Sequence, residues 1–503
     1  MSSAHYADLC GKAAPSVVGR KPLGHLAQRH KGITVRKVAT AFHPDQISAP
    51  AITREPAPVA NSMLPVLAAV VLVYSLLLPP QFYVNAGGSV ITPFRIILLS
   101  SSIYIAAQLL SGRLRLVWPD IMIIAATAWI VLSLYLTTGG TAALTASIAQ
   151  VCDVGFAYLF SRCAFRSLRD VRIFLILLAP GIALMGGLIA IESVTKTNIV
   201  QPFFSSITGN PVTGRSTERM GLLRARGGFP HAILAGIFFA SFLSLFALSG
   251  IRRMPWLLGI FAALMSFFTV SSAALLALVF GSGLIAYNWL SERIAQLSWK
   301  LFFFVSTLII IVLEGASNSG SFNLIIRYAS LNSGSAYNRV LIWRYGTQNV
   351  EQAPWFGIGY ADWERPSWMV ASIDHYWLLL AIQYGVMVPI LIVLATGLAV
   401  FALIRRSTLS GAIDARFQRG IAIAISVFAL GAISVALWLE AQVWYFVLLG
   451  MTVSVANAPV YRRTFVSATV AAPQELELTV PAPLPAAEPS GEPDGETTPN
   501  PQT

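Results

Sequence analysis

The sequence predicts an all-α polytopic membrane protein with about 12 transmembrane helices, and three observations lead there. Of its 503 residues, 56% are hydrophobic and only 11% charged, under half of the ~25% charged residues of an average soluble domain. The apolar residues gather into runs of roughly 20, the length that crosses a hydrocarbon core of ~30 Å as a helix. Lys and Arg recur at every second interruption between runs, as the positive-inside bias requires. This composition excludes a water-soluble fold. It also removes nucleic acid as a partner, which a net charge of +12 would suggest for a soluble protein.

Before the first run, residues 1–62 carry Lys12, Arg20, Lys21, Arg29, Lys31, Arg36, Lys37 and Arg54 without the apolar region and small-residue cleavage site of a signal peptide. They predict a basic cytoplasmic extension. The stretch 63–459, cut at its polar interruptions, gives spans near 63–80, 93–111, 119–137, 142–161, 173–191, 231–249, 254–270, 272–290, 300–314, 375–401, 417–438 and 441–459. The run 254–290 is broken only by Thr269, Ser271 and Ser272, but Arg252 and Arg253 precede it and Arg293 and Lys300 follow it. Both of its ends therefore face the cytoplasm, and it must cross twice. With that pairing the cytoplasmic segments hold 24 of the 34 Lys and Arg, and an even number of spans puts both termini inside. Residues 464–503, rich in Pro, Ala and Glu, bury too little to order themselves and predict a disordered tail. Three cysteines supply neither a disulfide framework nor a metal pair. The chain shows no repeat and no matched pair of Gly/Pro-broken helices, which weighs against a transporter built from inverted repeats.

The ten remaining basic residues stand on the disfavoured side: Arg95; Lys196, Arg215, Arg219, Arg224 and Arg226 in one loop; Arg327, Arg339, Arg344 and Arg365 in another. Any one of them reads as a solvated surface charge, but together they favour an anionic ligand. The planar guanidinium fork suits phosphate oxygens, and a pyrophosphate at the membrane surface is such an anion. The second loop, 315–374, is the longest interruption and precedes the tenth helix. It mixes Trp343, Trp355, Phe356, Trp363 and Trp368 with Gly357, Gly359, Asp362, Glu364 and Asp374. Its aromatics read first as interfacial anchors and second as sugar-stacking surfaces. Only His231 and His375 lie outside the extension, each at the outer mouth of a span, where an imidazole can exchange a proton near neutral pH. Asp153, a carboxylate within the fourth span, is expected to pair inside the bundle.

These residues resemble the bacterial O-antigen ligases and repeat-unit polysaccharide polymerases over roughly residues 90–460. The resemblance is carried by Arg339-Val-Leu-Ile-Trp343, then Ala353-Pro-Trp-Phe-Gly-Ile-Gly359, then His375-Tyr-Trp-Leu378 and Tyr384-Gly385. A second patch, Arg226-Gly-Gly-Phe-Pro-His231 with Gly236, is similar to the family stretch that opens the following span. Two departures stand out. Where the family often has Ser-Arg between the paired seventh and eighth spans, this chain reads Thr269-Val-Ser-Ser-Ala273 without arginine; Arg224, Arg215 or Arg219 would have to replace it. Where the family often has Glu before the Gly, this chain has Gln383.

The resemblance implies a bacterial inner membrane, with 192–230 and 315–374 as periplasmic loops and the active site facing the periplasm. It implies inverting glycosyl transfer, without metal or cofactor, from an undecaprenyl-pyrophosphate-linked oligosaccharide to a sugar hydroxyl. His375 is the implied general base, and Arg226, Arg339 and Arg224 the implied pyrophosphate ligands. Trp343, Gly357, Gly359 and Asp374 are candidates from the substrate loop. The acceptor is a growing exopolysaccharide or O-antigen in a polymerase, or a lipid core in a ligase. Membrane lipids and other polysaccharide-export proteins are the expected partners. A secondary transporter or lipid-linked-glycan flippase also suits the topology, but it would place ionisable residues near mid-membrane.

Overall fold

In hydrocarbon every backbone N–H and C=O must find a partner inside the chain, which leaves the helix as the local solution for an apolar run of this length. A computed structural model describes residues 63–86, 89–212, 214, 216–294, 296–316 and 333–458. The extension 1–62, the tail 464–503, Arg215 and Arg327 lie outside the described residues.

The first half of the chain forms α1 (Leu64–Leu76), α2 (Pro93–Leu110), α3 (Trp118–Thr137), α4 (Gly140–Ala164), α5 (Leu168–Thr195), α6 (Val200–Thr208) and α7 (Ala232–Ala247). The second half forms α8 (Met254–Thr269), α9 (Ser272–Ser291), α10 (Trp299–Ala316), α11 (Ser333–Gln352), α12 (Tyr376–Tyr384), α13 (Met387–Ser407), α14 (Ala412–Gly431) and α15 (Glu440–Asn457). Two short antiparallel hairpins, β1 (Val84–Ala86) with β2 (Ser89–Ile91) and β3 (Glu218–Arg219) with β4 (Leu222–Leu223), sit between helices. Among the described residues, α2, α3, α4, α5, α9 and α13 are long and apolar enough to cross a membrane, and α1, α7 and α8 are shorter apolar helices. The chain is an all-α, multi-pass membrane protein.

A helix that is apolar on every side belongs at the centre of a bundle, and α15 is one: nearly every residue from Glu440 to Val455 is buried. Its Trp444 lies against Phe238 and Phe242 of α7, with ring centroids 5.4 and 5.0 Å away, and donates its indole N–H to Ser241 Oγ at 3.0 Å.

Three local structures depart from the simple pattern of spans and loops. The run 375–401 is two helices, because Gly385 turns the chain between α12 and α13 at φ +86°. The long loop contains the polar helix α11. In α4 the turn Val151–Phe156 widens into a π-helix, an insertion common at functional sites. This turn carries Asp153, which accepts two hydrogen bonds from Arg95, Nε at 3.0 Å and Nη2 at 2.6 Å. Asp153 thus pairs inside the bundle, and Arg95 is spent on it.

Candidate anion-binding cavity

At the end of the bundle where α7, α9 and α12 begin, a cavity of about 780 Å³ opens. Chain segments from Arg219 to Trp438 build it, so no local stretch of sequence contains it.

Its arginines and Asp374 come from three places. The β3–β4 hairpin turns through Met220 and Gly221, both at positive φ, the backbone geometry that matches the twist of paired strands. This tight turn delivers Arg219 and Arg224 to one wall. Helix α11 supplies Arg339, and Asp374 comes from just before the His375 cap of α12. Burial lowers the proton affinity of Arg224, and Arg219 and Arg339 lower it further while Asp374 opposes them. Arg339 is lowered first by burial, with Asp374 and Arg219 acting in opposite directions. Burial raises Asp374 above the ordinary carboxylate range against the pull of Arg339 and Arg224. Arg224 Nε is buried and has no hydrogen-bond partner among the described residues. Three guanidiniums share the cavity with Asp374, while the other lining carboxylate, Asp362, is exposed and paired with Arg365; the field of such a site is relieved by an anion.

Arg219 also addresses the departure noted at the turn between α8 and α9. Val270, in the left-handed region at φ +45°, shapes this turn and presents Ser271 and Ser272 to the cavity. Arg219 Nη1 donates to Ser272 Oγ at 3.3 Å, so a cation from the hairpin stands beside the turn that lacks its own. Gly236 lets α7 approach this turn, since a Cβ there would overlap Thr269 and Ala274.

Both histidines start helices. His231 Nδ1 accepts the N–H of Ile233 at 3.2 Å, and His375 Nδ1 accepts the N–H of Leu378 at 3.1 Å. A neutral ring whose Nδ1 accepts carries its proton on Nε2. His231 lines the cavity; its pKa is pushed down to about 4 by loss of bulk water and then by Arg224 and Arg226. His375 is 6% exposed, stands behind the wall with the Trp343 ring 5.1 Å away, and burial pushes it down to about 4. Proton uptake at either Nδ1 would break a helix cap, which supports the same direction.

Of the site residues implied by the resemblance, the cavity collects Arg224, Arg339 and Asp374, and it adds Arg219 and His231, both read from sequence as outer residues. His375, Arg226, Trp343, Gly357 and Gly359 fall outside its lining. Arg226 is buried in its own turn and donates to the Pro230 carbonyl at 3.2 Å. Gly357 and Gly359, at φ +64° and +63°, belong to a clasp. Ile358 and Gly359 N–H donate to the Ile382 and Gln383 carbonyls at 2.8 and 2.9 Å, and Val386 N–H to Pro354 at 2.9 Å. Ser133 and Trp129 of α3 donate to the Phe356 and Trp355 carbonyls at 2.6 and 3.0 Å. The Pro-Trp-Phe-Gly-Ile-Gly stretch thus ties the long loop to α3 and to the break after α12. The cavity also includes Tyr360 and Trp438, which sequence reasoning missed; Trp438 is 45% exposed although it closes a predicted span.

No family model and no curated protein matches the chain.

Proposed function

We propose that the chain is a membrane glycosyltransferase that moves a glycan from a polyprenyl-pyrophosphate donor to a sugar hydroxyl. One observation carries this reading: Arg219, Arg224 and Arg339 share a single cavity with the carboxylate of Asp374 at one end of a membrane bundle. The cations suit a pyrophosphate that must stay close to lipid, and they would stabilise the charge growing on the leaving oxygen. The exposed Trp438 and Tyr360 offer faces for a sugar ring beside them.

In this proposal twelve spans leave both termini in the cytoplasm of a bacterium, and the cavity opens to the periplasm. Undecaprenyl pyrophosphate carries the donor, and joining repeat units of an exopolysaccharide or O-antigen is the favoured reaction. Transfer of a finished chain to a lipid core uses the same cavity and differs only in acceptor.

The test is deletion of the gene in its host, followed by gels of surface polysaccharide and lipopolysaccharide. Loss of long polymer with single repeat units retained supports a polymerase. Long lipid-linked chains above a bare core support a ligase. Unchanged gels reject glycosyl transfer. Arg339→Lys keeps the charge and removes the fork; it is expected to lose at least tenfold in product, and native activity would argue against a bidentate clamp.

A further inference from the structure

Any displacement by a hydroxyl needs a group that takes its proton. The ionisable residues lining the cavity are Arg219, Arg224, Arg339, His231, Tyr360, Asp362 and Asp374. The arginines are cations. Asp362 is exposed and bound to Arg365. The Tyr360 hydroxyl lies 3.1 Å from that of Tyr384. His231 carries its proton on Nε2 and uses Nδ1 as a cap, and so does His375 behind the wall. Neither imidazole gains a proton without opening a helix start. Asp374 remains: its carboxylate faces the cavity and forms no hydrogen bond or salt bridge with a described residue.

We propose that Asp374, not His375, accepts the proton of the acceptor hydroxyl in the glycosyl transfer described above, a reading on which this inference rests. The hydroxyl oxygen forms a bond to the anomeric carbon on the face opposite the pyrophosphate. The bond from that carbon to the pyrophosphate oxygen breaks, and its electron pair leaves on the phosphate beside Arg224 and Arg339. The hydroxyl proton passes to an Asp374 oxygen and then to water. Burial raises the proton affinity of Asp374, and Arg339 and Arg224 hold that rise back. A bound pyrophosphate offsets their charge, so donor binding strengthens the base. His375 becomes a positioning residue, fixing the first turn of α12 and with it the place of Asp374.

The experiment uses the full-length chain in native-lipid nanodiscs, with undecaprenyl pyrophosphate as the binding probe and polysaccharide made in the complemented host as the activity readout. Asp374→Asn is expected to lose ~10²- to 10⁴-fold in rate while binding the probe at least as tightly as the native chain. Asp374→Glu should recover part of that rate. His375→Asn keeps a side chain suited to a helix start and should lose less than Asp374→Asn. Product from Asp374→Asn within tenfold of native would overturn the proposal. So would a hundredfold loss in His375→Asn, inserted and binding normally, that exceeds the loss in Asp374→Asn. If the native chain fails to bind the probe and the deletion strain keeps its polysaccharide, the glycosyl transfer reading falls and takes this proposal with it.

Discussion

The two ends of the bundle hold arginines in opposite ways. At the end where α3, α5 and α14 begin, four arginines are paired with carboxylates. Arg162 meets Asp120 at 2.7 Å, Arg172 meets Asp414 at 2.7 Å, and Arg416 and Arg419 meet Glu292 at 2.7 and 3.3 Å. At the cavity end, Arg219 and Arg224 form no salt bridge among the described residues, and the nearby Asp374 carboxylate forms none either. Charge at the first end is spent on joining helices. At the second, Arg365 is paired with Asp362, but Arg219 and Arg224 are left as a field that an anion can meet. The sequence already separates the two sets by side of the membrane; the structure adds which of them have carboxylate partners.

The comparison can be broken first at the cavity. Hydrogen bonds to charged groups contribute ~1.5–3 kcal/mol each. Arg224→Gln with Arg339→Gln should therefore weaken binding of undecaprenyl pyrophosphate, measured by calorimetry, by two or more orders of magnitude. Native affinity in the double variant would mean the cavity arginines are ordinary surface charges. At the opposite end, Asp120→Ala strips the partner from buried Arg162. It should destabilise the chain by ~3–5 kcal/mol, read as a lower melting temperature in detergent, with the expected fall absent if water replaces the carboxylate.

Acid offers a third test, specific to one end, since both histidines outside the extension lie by the cavity. Their pKa values are pushed down to about 4 in the fold, against ~6.5 in an unfolded chain. The unfolded state takes up protons first as pH falls. Stability should therefore drop as pH goes from about 6.5 towards 4, and His375→Asn should flatten that drop. A melting temperature that holds steady between pH 7 and 5 would argue against buried neutral imidazoles. The smallest effect belongs to Arg416→Ala: half-exposed, it pairs with Glu292 in reach of solvent, and such pairs contribute ~0–1 kcal/mol.

Much of the architecture was legible because membrane solvation acts on local composition. The predicted 119–137 lies within Trp118–Thr137, and 272–290 within Ser272–Ser291. The break at Gly385 was not legible, because hydropathy continues through it; a Cβ at Gly385 would overlap the Trp355 carbonyl, a neighbour thirty residues earlier. The candidate site divided in the same way. Arg224 and Arg339 stood out through charge on the disfavoured side, and Asp374 through its place in the loop. The capping of both histidines did not, because a cap is decided by backbone N–H geometry at the helix start and leaves no compositional trace. Trp438 read only as the last residue of a predicted span; packing places it in the cavity lining.

By itself the sequence determined that this is a membrane protein of many helices, where most of its long apolar helices fall, and which loops carry arginines against the positive-inside bias. Each of these is a sum over neighbouring residues, and solvation reads such sums directly. Only the tertiary structure decided that Arg219, Arg224, Arg339 and Asp374 share one cavity, that Arg95 is committed to Asp153, and that His375 caps a helix. Those outcomes depend on contacts between segments far apart in the chain, which helix packing fixes and local composition cannot encode.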